Sequence, residues 1–351
     1  MKAAVYYGPA DIRLEEQPER IPTADNMIVE IHCCAICGTD LKLATIGNPR
    51  YHPPRIIGHE IIGHITHVGD RVSGFAPGER VTFATTVSCG KCNYCRIGLQ
   101  NICPNRTPIS NDYDGGFTTH IEVPPLAISG GNVIKVPDSV PDEMASLSEP
   151  LSCVINALEI AGLKPGDRIL IIGGGPLGAL HAQAAIAWGA SEVMIVQRSE
   201  PRLSLLRKLD GVTVIDGQNE NVMGVVKERT DGMGADVISV CAPSLEAQQG
   251  ALAYARNGGA ISLFASLPTS GSEITLDTRT LHYGELRLVG ASDSRPEHVR
   301  KAVEFMQAGK IQADKIITHR VLLENIHHGL ELMKRKESLK VVVYPDARYM
   351  P

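Results

Sequence analysis

The chain has 351 residues, a net charge of −5 and a pI of about 6.2; two domains are expected at that length, and the lack of a basic patch argues against a nucleic-acid partner. No uninterrupted apolar run reaches the roughly 18 residues of a membrane span, and residues 1–8 lack the charged and apolar regions of a secretion signal. Nine cysteines, an odd count, in such a chain point to free or metal-bound thiols in a reducing compartment, so the cytoplasm is the expected location.

The first part of the chain reads as β-rich. Residues 3–7, 27–33, 63–68, 80–84 and 119–123 have strand composition, and Gly, Pro and Asp punctuate them. A compact, irregular β-barrel is expected. From Gly166 the rhythm changes. Residues 168–172 form an apolar strand and 176–188 a helix, then 192–196 a strand and 201–209 a helix. Strands are expected at 213–215, 236–240 and 260–264, with helices near 222–228 and 245–255. Alternation of that length implies a parallel, doubly wound sheet, with 285–289 as its last strand. The tail carries a helix near 296–307 and a strand at 340–344, and is expected to pack back on the first domain.

Three groups of residues carry chemistry. Cys89, Cys92, Cys95 and Cys103 lie within fifteen positions, among turn formers such as Gly90, Asn93, Gly98 and Pro104. A short loop of this kind presents four sulfurs to one ion, which is what zinc accepts at a closed structural site. Upstream, Cys37 and His59-Glu60 offer a thiolate, an imidazole and a carboxylate from separated segments. That suits an open zinc site, for which Glu149, at the domain junction, is the expected third ligand. Each of these residues alone reads as an ordinary buried cysteine, a core histidine or a helix-start charge; together they favour a site. Cys33, Cys34 and Cys241 read as core, Cys153 is not expected to be a ligand, and His52, His64, His67 and His120 show no defensible partner spacing.

The third group is the turn Gly173-Gly174-Gly175-Pro176-Leu177-Gly178, set between a strand and a helix. Gly173 allows the tight turn, Gly175 the close approach of a pyrophosphate and Gly178 close packing of helix on sheet, while the helix N-terminus supplies amide donors. At the end of the next strand a ribose-binding acid is expected for NAD. This chain has Gln197 there, followed by Arg198, whose guanidinium suits a 2′-phosphate. NADP is therefore the expected cofactor, with NAD the alternative. Arg202, one turn further on, is either a second phosphate contact or a surface charge.

With these motifs in this order, the whole chain resembles the zinc-dependent medium-chain dehydrogenases, and most closely their sorbitol and polyol dehydrogenase branch. The branch rests on Glu149, because classical alcohol dehydrogenases carry a cysteine at that ligand position. The resemblance implies a GroES-like β-barrel catalytic domain, here 1–150 with 291–351, and a Rossmann domain at 151–290. It implies two zinc ions per chain, a homodimer or homotetramer, and Glu60 beside the catalytic metal as an exchangeable ligand. It also implies a proton relay beginning at Thr39, whose outer histidine is replaced here by Lys42.

The expected reaction is reversible hydride transfer between a secondary alcohol and a nicotinamide, with zinc lowering the hydroxyl pKa and the site in the cleft between the domains. A polyol or sugar alcohol is the expected substrate; low aromatic content, with Trp188 as the single tryptophan, fits a polar pocket. A sugar-alcohol phosphate, met by Lys42 or Arg295, and a simple secondary alcohol are alternatives. So is a non-catalytic zinc and nucleotide-binding module. A zinc hydrolase is disfavoured, since hydrolysis has no use for the glycine turn.

Overall fold

Strand Met27–Ala35 buries residues on both of its faces, including Met27, Ile28, Val29, Cys33 and Cys34. Such a run belongs inside a sheet rather than at its rim. In the computed structural model, which describes residues 1–268 and 270–351, it pairs with three strands of a seven-stranded sheet. The order is Ile317–Leu322, Lys340–Tyr344, Met27–Ala35, Glu60–Val68, Arg80–Phe83 and Val133–Lys135, with His120–Val123 also paired to Met27–Ala35. A three-stranded sheet of Asp11–Glu16, Lys2–Gly8 and Arg55–Ile56 completes this β-rich unit. Its core gathers Met27, Ile31, Leu43, Ile61, Phe83, Phe117 and Val341.

Register decides what stands at the end of these strands. Met27–Ala35 and Glu60–Val68 run antiparallel with Ala35 opposite Glu60, so Cys37 and His59 emerge at the same end. Lys340–Tyr344 lies on the other side, with Val342 opposite Ala35. Continued by two residues, that register sets Lys340 across from Cys37. Helix Gly38–Ile46 starts directly after Cys37, and Asp40 Oδ2 accepts a 2.8 Å bond from the Cys37 amide. The cysteine is thereby held at a helix start.

The second unit is a six-stranded parallel sheet in the order Thr213–Asp216, Glu192–Gln197, Arg168–Ile172, Ala235–Val240, Ala255–Leu263 and Arg287–Gly290. The order reverses about Arg168–Ile172, so a crevice opens beyond its carboxyl end, as in doubly wound folds. Leu170, Met194, Ile238 and Ile261 form its core. Together the two units are the GroES-like and Rossmann folds.

The structure differs from expectation at several places. The helix expected at 245–255 is α-helical only over Leu245–Gly250; a 3-10 turn, Ala251–Tyr254, follows from Gly250, a poor helix residue. Asp11–Glu16, Val133–Lys135 and Ile317–Leu322 are strands that composition did not mark. The tail also does not belong entirely to the first unit. That unit comprises Met1–Ser152, Asp293–Ala308 and Ile317–Pro351, while Gly309–Ile316 joins Cys153–Ser292. Three contacts hold the segment there: Lys310 Nζ donates to Ala187 O (3.2 Å), Gln312 N to Gln183 Oε1 (2.9 Å) and Lys315 Nζ to Asp210 Oδ2 (2.5 Å).

Candidate active site and nucleotide turn

Cys37, His59 and Glu60 each offer a ligand atom, and these atoms lie within 4.8 Å of one another. Cys37 and His59 are half-buried and Glu60 is fully buried. Asp40, also fully buried, has Oδ1 3.8 Å from His59 Nδ1, and Ser110 Oγ lies 3.5 Å from the same nitrogen. Burial works against a charged His59 ring, yet Cys37, Asp40 and Glu149 outweigh it and raise its pKa well above the ordinary value. The surroundings therefore favour positive charge at this point. A divalent cation fits the same field and the same donor set, one soft sulfur with nitrogen and oxygen.

Glu149 lies in the first turn of helix Ser148–Ala161, and Thr85 Oγ1 donates to its Oε1 at 3.3 Å. Burial, partly offset by His59, pushes its carboxyl up to about 7. It is close enough to His59 for each to shift the other, but lies outside the tight cluster of three. Glu60 has a partner that sequence reasoning missed. Lys340 Nζ, from the strand on the far side of Met27–Ala35, bonds both Glu60 oxygens and the Ile36 carbonyl (3.2 Å). Lys340 is 2% exposed and Glu60 0%. A direct Glu60–metal contact therefore requires the carboxylate to be shared with, or withdrawn from, Lys340. The signal was a single lysine opening the apolar run Val341-Val342-Val343-Tyr344.

Thr39 is half-buried in the first turn of Gly38–Ile46, and Lys42 on the same helix is exposed. Arg295 is engaged: Nη1 donates to Gly98 O (3.1 Å), Nη2 bonds His298 Nε2 (3.0 Å) and Nε pairs with Glu297 (2.5 Å). His64, for which no partner was expected, shares a 2.7 Å hydrogen bond with His32 Nε2 and lies 3.6 Å from Glu30. These partners are on paired strands, which sequence spacing does not show. Cys33 and Cys34 are core, whereas Cys241 is only half-buried, its sulfur 3.4 Å from His181 Nδ1.

In the cysteine loop all four thiols are free of disulfides. Their sulfurs are separated by 3.5 Å (Cys92–Cys95), 3.5 Å (Cys89–Cys103), 3.7 Å (Cys92–Cys103) and 4.0 Å (Cys89–Cys95). A tetrahedron of sulfurs on zinc has edges of about 3.8 Å, given zinc–sulfur bonds of about 2.3 Å. Backbone amides of Lys91 and Cys92 face Cys89 and hold its thiol down to about 6, which favours the thiolate a metal binds. The donor set and its spacing fit one tetrahedral ion.

In the second unit, strand Arg168–Ile172 runs into Gly173 (φ 111°), and helix Pro176–Trp188 follows, with Pro176 in its first turn and Gly175 as its N-cap. A Cβ on Gly178 would lie 2.0 Å from the Gly173 carbonyl oxygen, so only glycine lets the helix sit there. The Leu177 carbonyl accepts a bond from His181 Nδ1 (2.8 Å). Gly173, Gln197, Arg198, Ser244 and Tyr254 help line a cavity of about 290 Å³ beside the turn. Gln197 Oε1 accepts from the amides of Arg198 (2.7 Å) and Ser199 (3.1 Å), which leaves its amide nitrogen as a donor. Arg202 reaches back to within 3.5 Å of where a Cβ on Gly175 would stand.

Residues 23–138 match the alcohol dehydrogenase GroES-like domain, and residues 176–308 the zinc-binding dehydrogenase domain. The chain is 32% identical over 355 residues to a sorbitol dehydrogenase of Bacillus subtilis, covering 99% of this chain and 98% of that protein. It is 32% identical over 348 residues to an L-threonine 3-dehydrogenase of Pyrococcus horikoshii, covering 97% of each. Among solved structures, a protein of Sinorhizobium meliloti described as a zinc-binding dehydrogenase and bound to NADP superposes with a TM-score of 0.89 at 27% identity, covering 98% of this chain and 99% of that one. These two domains, with likeness at this level over nearly the full length, place the chain in the zinc-dependent medium-chain alcohol and polyol dehydrogenase family, whose members are NAD(P)-dependent oxidoreductases.

Proposed function

We propose that this dehydrogenase moves a hydride between NADP and a secondary hydroxyl or ketone of a polyol or sugar alcohol, with two zinc ions per chain. The observation that carries the site is the convergence of Cys37, His59 and Glu60, with Glu149 beside them, in surroundings that favour positive charge. Cys37, His59 and Glu149 would hold the catalytic ion, and Cys89, Cys92, Cys95 and Cys103 the structural one. When bound, zinc would supply Lewis acidity toward the carbinol oxygen and the nicotinamide would supply the hydride acceptor or donor. Thr39, at the start of the helix that follows Cys37, passes the hydroxyl proton outward. Lys340 keeps the Glu60 carboxylate in place beside the ligands. Gly175, Leu177 and Gly178 would receive the pyrophosphate on backbone amides, while Gly173, whose own amide bonds the Val196 carbonyl, makes the turn and Pro176, which has no N–H, starts the helix. Gln197, with no carboxylate to accept ribose hydroxyls or to repel a phosphate, supports NADP over NAD.

The substrate reading leans on the glutamate at position 149 and on the relatives. The engagement of Arg295 and the exposure of Lys42 give a phosphorylated substrate little support. A cytoplasmic homo-oligomer is the expected setting; among the described residues no helix is long and apolar enough to cross a membrane.

The test is an initial-rate survey with NADP⁺ and NAD⁺ across polyols, sugar-alcohol phosphates and simple secondary alcohols, alongside Cys37→Ser. Turnover is expected on polyols, faster with NADP⁺, and lost by about 100-fold or more in Cys37→Ser with unchanged far-UV circular dichroism. Near-full turnover in that variant would sink the metal assignment. Preference for a simple alcohol or a phosphate ester would sink the substrate class.

A further inference from the structure

The two arginines near the nucleotide turn are in opposite states. Arg202 lies against Gly175, and its buried Nε has no hydrogen-bond partner among the described residues. Burial disfavours its charge, a penalty that an anion at the turn would offset. Arg198 is already neutralised. Its Nη1 and Nη2 bond Glu246 Oε2 and Oε1 at 3.0 and 2.9 Å, a two-point fork that fixes the guanidinium plane. Glu246 is in the first turn of Leu245–Gly250, behind strand Ala235–Val240, while Arg198 directly follows strand Glu192–Gln197. Both residues line the 290 Å³ cavity, and both are well exposed, with side chains 60% and 72% accessible.

The place matters because the adenosine ribose of a dinucleotide sits at the end of that second strand. A phosphate on its 2′-oxygen would meet Arg198, and it would meet Glu246 with it. It must take the guanidinium from the carboxylate, or lie beside a like charge.

We infer that Glu246 is a specificity-determining residue: it latches Arg198 and weakens this chain's grip on the 2′-phosphate of NADP relative to NAD. The inference rests on the reading of the cavity as the adenosine site. It requires the 2′-phosphate preference to be smaller than Arg198 alone would produce, and to be held down by one carboxylate. A glutamate more than forty positions along the chain gives no sequence sign of this; the pairing exists because two loops meet at the same end of the parallel sheet.

Binding of adenosine 2′,5′-bisphosphate and of adenosine 5′-monophosphate to the full-length protein, measured by calorimetry, tests it without turnover. In Glu246→Gln the bisphosphate is expected to bind about two- to fivefold more tightly, the effect of one exposed ion pair, with the monophosphate unchanged. In an Arg198→Gln background the same substitution is expected to lose most of that gain. Equal changes for both nucleotides, or no change for either, overturn the latch. So does an equal gain without Arg198, which would leave plain charge repulsion. Wild-type protein that prefers the monophosphate refutes the NADP preference while leaving the latch intact, provided that Glu246→Gln still shifts the ratio. Failure of both nucleotides to bind refutes the nucleotide site and the latch together.

Discussion

Glu60 and Lys340 form a buried ion pair 280 positions apart in the chain, beside the candidate metal ligands. Taking either charge out of water is expensive, so each depends on the other. Lys340→Met would leave a buried carboxylate uncompensated and is expected to cost about 3–5 kcal/mol, read as a lower urea midpoint. Adding Glu60→Gln should recover much of the loss. A single variant as stable as the parent would show that the pair does not carry the strand junction. At this scale the grouping of Cys37 with His59, which the structure brings together, was legible in the sequence. Cys37 and His59 could be named because their residue types have few roles when they occur beside a cysteine loop and a glycine turn. Lys340 could not, because a lysine in a strand ordinarily points to water.

The cysteine loop depends on its own ligands more than on packing. Between Cys89 and Cys103 the regular structure is one short helix, Asn93–Arg96, and a 3-10 turn, Gln100–Ile102. Ile97 and Ile102 are exposed. Such a loop has little apolar surface to hold it, so a metal bound to its sulfurs would supply the order. Cys103→Ser is expected to lower zinc from two ions to one per chain by elemental analysis, and to make the loop the first site cut by trypsin, which can act at Lys91 and Arg96. Retention of two ions with unchanged proteolysis would rule out the four-sulfur site. The convergence of the four sulfurs was readable because they are local in sequence. The parallel strands were readable for a similar reason, as short apolar runs separated by helices. Strands such as Asp11–Glu16 were not, since their charged residues face out and only hydrogen bonds to a neighbouring strand define them.

At the scale of the molecule, pH acts through buried groups. His181 is fully buried in Pro176–Trp188; its Nδ1 donates to Leu177 and its Nε2 has no partner among the described residues. Burial pulls its pKa down to about 4. The unfolded chain then takes up a proton near pH 6.5 that the folded chain refuses, so stability falls as the pH drops from about 6.5 to 4. Over that window the loss approaches about 3 kcal/mol. His181→Gln should flatten the fall of the melting temperature between pH 7 and pH 5. An unchanged slope would assign acid sensitivity to other groups.

What the chain carries in its local order is the kind of chemistry it does. The four-cysteine loop, the glycine turn and the β–α rhythm are set by neighbours within about twenty positions, where spacing alone constrains geometry. What the tertiary structure decided is which charges face one another. Lys340 meets Glu60, Arg198 meets Glu246 and His32 meets His64 because strand register and the shared end of a parallel sheet bring together segments from 32 to 280 positions apart. Register follows from burying apolar faces as a whole, and no single stretch of sequence contains it.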